Sequence, residues 1–198
     1  LRTNIDGTYN VLESAKNLSL DQVIITSTSE TYGSAKYVPI DEEHPLIGQS
    51  PYSASKIAAD QLSISYHRSF GLPVKIARPF NTYGPRQSAR AVIPTIINQC
   101  LNGFDKLNLG NLSPTRDLTF VQDTCKGFLE IYNHQEYFGK VINIGMNAEI
   151  SMGDLAKRIM NILDVNLPII SDNDRIRPKD SEVDRLLCDN SKLLKNTS

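Results

Sequence analysis

The chain has 198 residues, with 21 Lys and Arg against 22 Asp and Glu, a net charge of −1 and 40% hydrophobic residues, enough for one domain with a sizeable core and a small satellite lobe. So even a charge balance supplies no broad basic face for nucleic acid or an anionic membrane surface, and no apolar run approaches the ~20 residues of a membrane span. Cys100, Cys125 and Cys188 are odd in number and far apart, a pattern that suits a reducing cytoplasm rather than a disulfide framework, and neither they nor His44, His67 and His134 show metal-ligand spacing.

From the N-terminus, apolar periodicity alternates between helices and short β-rich runs, which predicts an α/β fold with a mostly parallel sheet and crossover helices. Residues 4–17 read as a helix carrying Val11, Leu12 and Ala15. "DQVIITST" is short, β-branched and apolar, the pattern of a strand buried on both faces. A polar loop with Pro39, Pro45 and Gly48 leads to the helix of "SPYSASKIAADQLSISYHRSFG". There Ser50 is placed to cap, Pro51 to open the first turn and Gly71 to stop the helix. "LPVKIARP" reads as a strand, "RAVIPTIINQCLNG" as a helix, "RDLTFVQDTCKGFLEIYN" as a strand running into a helix, and "GKVINIG" as a strand. "SMGDLAKRIMNILD" is an amphipathic helix capped by Ser151, and "LPIIS" a last short strand.

Two stretches carry chemistry. "TSTSETYG", residues 26–33, follows the apolar run Val23-Ile24-Ile25 and ends a set of small hydroxyl side chains in one acid, Glu30. Polar groups delivered at the carboxyl end of a strand are what an α/β active site presents, although such a run alone reads more readily as a polar turn. Tyr52 and Lys56 lie four apart on the next helix, so both project from one face. A neighbouring ammonium stabilises the phenolate and lets a tyrosine work as a base near neutral pH, although the same spacing read alone also fits a solvated helix face.

Together these segments resemble the extended short-chain dehydrogenase/reductase superfamily, in particular its nucleotide-sugar epimerases, dehydratases and decarboxylases. The resemblance is carried, in the family's order, by "NIDGTYNVLESAK", "TSTSETYG", "SPYSASK", "RPFNTYGPR" and "RDLTFVQDTCKGF". It implies a Rossmann-like doubly wound sheet, with residues 1–79 the catalytic half of the NAD-binding domain and residues 80–198 a mixed segment that includes a small α/β substrate lobe. It also implies NAD as cofactor and a nucleotide sugar, UDP- or GDP-linked, as substrate. Tyr52 is then the base at the sugar 4-hydroxyl, Lys56 the partner of the nicotinamide ribose, and Thr28 a hydrogen-bond partner of the sugar 4-oxygen. Ser27 and Asn4 fall on the cofactor side. Asn81, Arg86 and Arg116 fall on the nucleotide diphosphate side, where the planar guanidinium suits phosphate oxygens.

Within that resemblance Glu30 distinguishes among reactions. Epimerisation at C4 needs no acid there, whereas a 4,6-dehydratase needs a group to take the C5 proton as the 6-hydroxyl leaves. Ser29 occupies the position at which dTDP-glucose dehydratases carry Asp, so Glu30 would move the proton without a second acid. "PRQSARAVIPTII" and "RIRPKDSEVDRLLCDNSKLLK" resemble bacterial nucleotide-sugar 4,6-dehydratases of the legionaminic acid pathway, which act on N-acetylglucosamine linked to a nucleoside diphosphate; Arg175, Arg177 and Arg185 then join the candidates for nucleotide contact. A decarboxylase acting on UDP-glucuronate, a 4-epimerase and a non-enzymatic sugar-nucleotide-binding homologue remain the alternatives. The sequence contains no Gly-x-Gly, the fingerprint expected after the first strand of a dinucleotide-binding domain, so the chain is expected to be a piece lacking about a hundred N-terminal residues. Alone it is expected to bind NAD poorly and to be inactive. The family resemblance further implies a cytoplasmic homodimer packed through the first helix and the Tyr52 helix.

Overall fold

A computed structural model of the chain describes residues 1–172 and 182–195. Its central sheet is wholly parallel, in the order β1 (Val23–Thr26), β2 (Val74–Pro79), β6 (Val141–Ile144), with Ile25 opposite Ile76 and Ala77 opposite Ile142. Five of the six residues of the middle strand β2 are buried, which accounts for its near-continuous apolar sequence. The two exceptions, Lys75 and Arg78, are buried with partners. Lys75 donates to Gln22 and to the carbonyls of Ile131 and Tyr132, and burial pulls its amine below the usual lysine value.

Helices α1 (Gly7–Asn17) and α2 (Pro51–Phe70) lie together on this sheet. Leu12 and Ala15 of α1 join Tyr66 of α2 and Val23, Ile25, Val74 and Ile76 of the strands in one core, while Val11 stays half exposed. The first turn expected as α-helix is a π turn over Arg2–Asp6. The caps of α2 are as the sequence reads: Ser50 and Ser53 form a reciprocal capping box, Pro51 opens the helix, and Gly71 closes it at φ 67°, a conformation glycine adopts without strain.

Beyond β2 the chain builds two further layers. Helix α3 (Val92–Leu101), β4 (Leu107–Leu109), α5 (Met152–Ile162) and β8 (Ile169–Ser171) share a second core around Ile96, Leu107, Leu155 and Ile159, with β4 and β8 parallel. Between the two cores, β5 (Thr115–Phe120) pairs in parallel with β3 (Asn81–Tyr83) and β9 (Arg185–Leu186) and antiparallel with β7 (Glu149–Ser151). The fold is thus α/β with parallel sheets, and the one antiparallel pairing among the described residues, β5 with β7, comes after a tight turn beyond β6, where Asn147 sits at φ 54°. The buried Asp117 carboxylate holds that turn by accepting from the backbone N–H groups of Met146 at 2.9 Å and Cys188 at 3.1 Å. Helix α4 (Val121–Asn133) returns onto β6, Gly127 lying against Ile144, and a short α6 (Ser191–Leu194) adds Leu193 to the same core.

Candidate active site

Strand β1 ends at Thr26, and the residues expected at its tip divide into two tasks. Thr28 is extended and caps a 3-10 turn, Ser29–Tyr32, its hydroxyl accepting from Glu30 N at 3.3 Å. The Thr31 hydroxyl donates back to the Thr28 carbonyl at 2.8 Å. The turn leaves Gly33 at φ 63°, where an added Cβ would stand 2.9 Å from the Ile47 carbonyl, so this bend has room only for glycine. Ser29 is buried, while Thr28 and Glu30 are partly accessible. Glu30 therefore stands on a capped turn beyond the strand, not on the strand itself.

That turn packs against α2. Tyr52 lies in the first turn of α2 and is 48% exposed; Lys56 follows one turn later, half-buried, with its amine donating to the Thr26 carbonyl at the end of β1. Burial pulls the Lys56 amine below the ordinary lysine value, and the carboxylate of Asp60, a further turn along, works in the other direction. Asn4 donates to Ser55 Oγ at 2.9 Å, tying the N-terminal turn to α2, and Ser55 donates to the Tyr52 carbonyl. The Ser27 hydroxyl is buried and donates to Asp60. Ser27 and Asn4, expected on the cofactor side, thus use these side-chain groups within the protein.

Sequence reasoning passed over the polar cluster behind these residues. Asp60 and Arg78 form a buried ion pair at 2.7 Å, and the Arg78 guanidinium lies 4.6 Å from the centre of the Tyr32 ring. Burial disfavours the Arg78 charge, but Tyr32 and Asp60 outweigh it and hold the guanidinium above its ordinary value. Burial also pushes the Tyr32 phenol up to about 12, so it stays protonated and donates to Asn143 at 2.8 Å. Two signals were available: Asp60 repeats the four-residue step from Lys56, and Arg78 is a charge inside an otherwise apolar strand.

On the side expected to meet substrate, β3 and β5 bring Asn81 and Arg116 to one cavity of about 490 Å³. Arg116 donates to its neighbour's carbonyl at 2.8 Å and to Glu182 at 3.4 Å. Asn81 Oδ1 and Gln87 Oε1, both buried at this cavity, have no hydrogen-bond partner among the described residues. Buried polar atoms are ordinarily satisfied, so these two oxygens offer acceptor positions to a donor within the cavity. Arg90 and Asn111 also reach the cavity; no spacing in the sequence signals them or Gln87. Arg86 does not line it and instead borders an adjoining apolar groove with Pro85, Ile93 and Leu101. Arg185 is held by Glu149, and Arg175 and Arg177 lie outside the described residues.

A sequence profile of the family described as GDP-mannose 4,6 dehydratase matches residues 1–197. Among curated proteins, the chain is 40% identical over 170 residues to a dTDP-D-glucose 4,6-dehydratase of Dictyostelium discoideum, covering 80% of this chain and 39% of that protein. It is 36% identical over 179 residues to a dTDP-glucose 4,6-dehydratase of Haemophilus influenzae, covering 85% and 53%. The chain thus spans about half the length of the curated relatives it matches. Among solved structures, a dTDP-glucose 4,6-dehydratase from Streptomyces venezuelae with NAD bound superposes with TM-score 0.86 at 29% identity, over 98% of this chain and 59% of that one. A UDP-glucuronic acid 4-epimerase from Bacillus cereus, in complex with UDP-glucuronic acid and NAD, superposes with TM-score 0.89 at 30% identity, over 98% and 61%.

Proposed function

Because this chain belongs to the GDP-mannose 4,6 dehydratase family, within the NAD-dependent epimerase/dehydratase branch of the short-chain dehydrogenases, we propose that the protein removes water across C5 and C6 of a nucleoside diphosphate sugar to give a 4-keto-6-deoxy sugar. The observation that carries this reading is the placement of one acid, Glu30, on a capped turn packed against the helix that bears Tyr52 and Lys56. An enzyme that only inverted C4 would have no use for a carboxylate there.

The residues present fit the nicotinamide end of NAD. Tyr52 is open to solvent at the carboxyl end of a parallel sheet, and the half-buried Lys56 ammonium stands one turn away as a hydrogen-bond donor for a ribose hydroxyl. When bound, NAD supplies a hydride acceptor for C4 and later the hydride for C6. Tyr52 takes the 4-hydroxyl proton, and Lys56 favours the phenolate form that does so. Thr28, whose hydroxyl oxygen accepts from Glu30 N and whose hydroxyl proton has no acceptor among the described residues, donates to the sugar 4-oxygen. With C4 as a ketone the C5 proton is acidified; Glu30 takes it and gives it to the departing 6-hydroxyl, which leaves as water, and the proton that Tyr52 took from the 4-hydroxyl makes good, through solvent, the one C5 regains when C6 is reduced. Ser29 is buried and cannot ionise in this range, so Glu30 serves both proton steps. Arg116 and the Nδ2 amide of Asn81 donate to the diphosphate in the cavity between β3 and β5.

For the sugar, the stretches 85–97 and 175–195 support N-acetylglucosamine linked to UDP or GDP, as in the legionaminic acid pathway, although part of the second stretch lies outside the described residues. A homodimer through α1 and α2 accords with the exposure of Tyr9 and Val11 on the first helix and Phe70 on the second. The similarity to the UDP-glucuronic acid 4-epimerase keeps C4 epimerisation as the second reading. The test is product mass after incubation of the full protein with NAD and UDP- or GDP-linked N-acetylglucosamine, dTDP-glucose and UDP-glucuronate. Loss of one water with no net reduced cofactor is expected. An isomer of unchanged mass makes the protein an epimerase, and loss of carbon dioxide makes it a decarboxylase.

A further inference from the structure

A line of buried polar side chains runs behind the site and takes no part in the proposed proton transfers. Asp60, one turn beyond Lys56, is fully buried. Its Oδ2 accepts from the Ser27 hydroxyl at 2.5 Å and from Arg78 at 2.7 Å, and Arg78 Nε also donates to Ser27 Oγ at 3.4 Å. Arg78 stacks on Tyr32, the last residue of the Glu30 turn, and Tyr32 donates to Asn143 on β6. Stability alone is a weak reason to keep such a pair, because desolvating two ions offsets most of their attraction.

Position is a better reason. Ser27 directly precedes Thr28, and Thr26, directly before it, gives its carbonyl to Lys56. The pair therefore joins four elements at one point: α2 through Asp60, the tip of β1 through Ser27, β2 through Arg78, and the Glu30 turn through Tyr32. Asp60 Oδ1 is buried without a hydrogen-bond partner among the described residues, and the field of the carboxylate reaches beyond the ion pair. Lys56, on the same face of α2, feels it: the Asp60 carboxylate opposes the effect of burial on the Lys56 amine. The groups around Lys56 are thus Tyr52 and Asp60 on its own helix, the Thr26 carbonyl from β1, and Arg78 from β2 through Asp60.

We propose that Asp60 and Arg78 are a positioning pair for this active site, clamping the Ser27–Thr28 strand tip to the helix that carries Tyr52 and Lys56. The inference rests on the reading of Tyr52 and Lys56 as the reacting pair. Without the clamp the 4-oxygen partner Thr28 and the base Tyr52 lose their mutual register, and Lys56 loses the anion that favours its charged form.

The decisive variant is Asp60→Leu/Arg78→Met in the full protein, which replaces the pair by apolar side chains so that folding does not depend on it. Lys56 is titrated by NMR of isotope-labelled lysine, assigned with Lys56→Arg, and turnover is measured in parallel. The double variant is expected to fold, to titrate Lys56 at lower pH than wild type, and to lose about 100-fold in kcat, the cost of misplacing groups by roughly 1 Å, with KM within about threefold. A folded double variant with wild-type Lys56 titration and wild-type kcat overturns the proposal. Absence of turnover in wild type sinks the dehydratase reading instead, and the titration, which needs no substrate, still decides the pair. Should the double variant fail to fold, Ser27→Ala removes the strand-tip end of the clamp alone; kcat must then fall with KM little changed, and a wild-type kcat overturns the proposal.

Discussion

The Lys56 amine donates to the backbone carbonyl of Thr26, thirty residues earlier in the chain, and so ties the helix carrying Tyr52 to the strand that delivers Thr28. A half-buried ammonium with a backbone acceptor is fixed in direction, which a solvated lysine is not. Its charge therefore stands at a constant place one turn from Tyr52.

Tyr52→Phe tests the base. Because Tyr52 is 48% exposed, loss of its hydroxyl should change stability by less than about 0.5 kcal/mol, while kcat falls about 100- to 10,000-fold. Single-turnover measurement beside a thermal melt separates the two; equal losses in both would mean that the phenol is structural.

Glu30→Gln keeps the turn, because the cap is made by the Glu30 backbone N–H and not by its side chain. It should leave oxidation at C4 intact and stop the loss of water. Reduced nicotinamide then accumulates, visible by its absorbance, where wild type shows none. A variant that still releases water at the wild-type rate removes Glu30 from the proton path.

Arg116→Gln should weaken binding of a nucleoside diphosphate by roughly 10- to 100-fold, the equivalent of about 1.5–3 kcal/mol for hydrogen bonds to a charged group. Arg116→Lys should recover little of that, since a point charge does not reproduce the planar fork. Calorimetric titration with UDP and GDP reads both variants, and unaltered affinity in Arg116→Gln would move the diphosphate away from this cavity.

Two glycines are predicted to resist replacement. An added Cβ at Gly145 would stand 2.4 Å from Cys188 Cβ, and one at Gly127 would stand 2.7 Å from Ile144 Cγ2. Each change to Ala should cost about 1–3 kcal/mol through overpacking, read as a lower urea midpoint with the slope unchanged.

Glu149 links stability to pH. Hydrogen bonds from Arg185 hold its carboxyl below the reference value of 4.5, with burial opposing and Thr115 assisting. A folded value below the unfolded one stabilises the protein above the unfolded pKa, and that contribution is lost as pH falls through the folded one. The stability difference between wild type and Glu149→Gln should therefore be present at neutral pH and shrink progressively below pH 4.5. Denaturant titrations at several pH values measure it. A difference that does not vary with pH would show that the Arg185 contact contributes nothing through charge. Because Arg185 is about half exposed, salt should reduce the effect.

The strands β1, β2 and β6, the helices α4 and α5, and α2 with both of its caps were legible from residue order alone. Burial on two faces writes itself as a continuous apolar run, and a capping box or a terminal glycine is chemistry between residues a few positions apart. Tyr52 and Lys56 were legible for the same reason, since helical spacing puts them on one face. The strands β3, β4, β7 and β9, with three residues or fewer each, are too short for a period to show, and they exist only because a partner strand from elsewhere in the chain completes their hydrogen bonds. Tertiary structure likewise decided that Glu30 sits on a capped turn rather than a strand, that Asp60 meets Arg78, and that Arg116 reaches Glu182 across 66 positions. Those pairings are set by the crossing of β2 beside β1 and of β5 beside β3 and β9, and no spacing along the chain encodes where two strands far apart in sequence come to lie side by side.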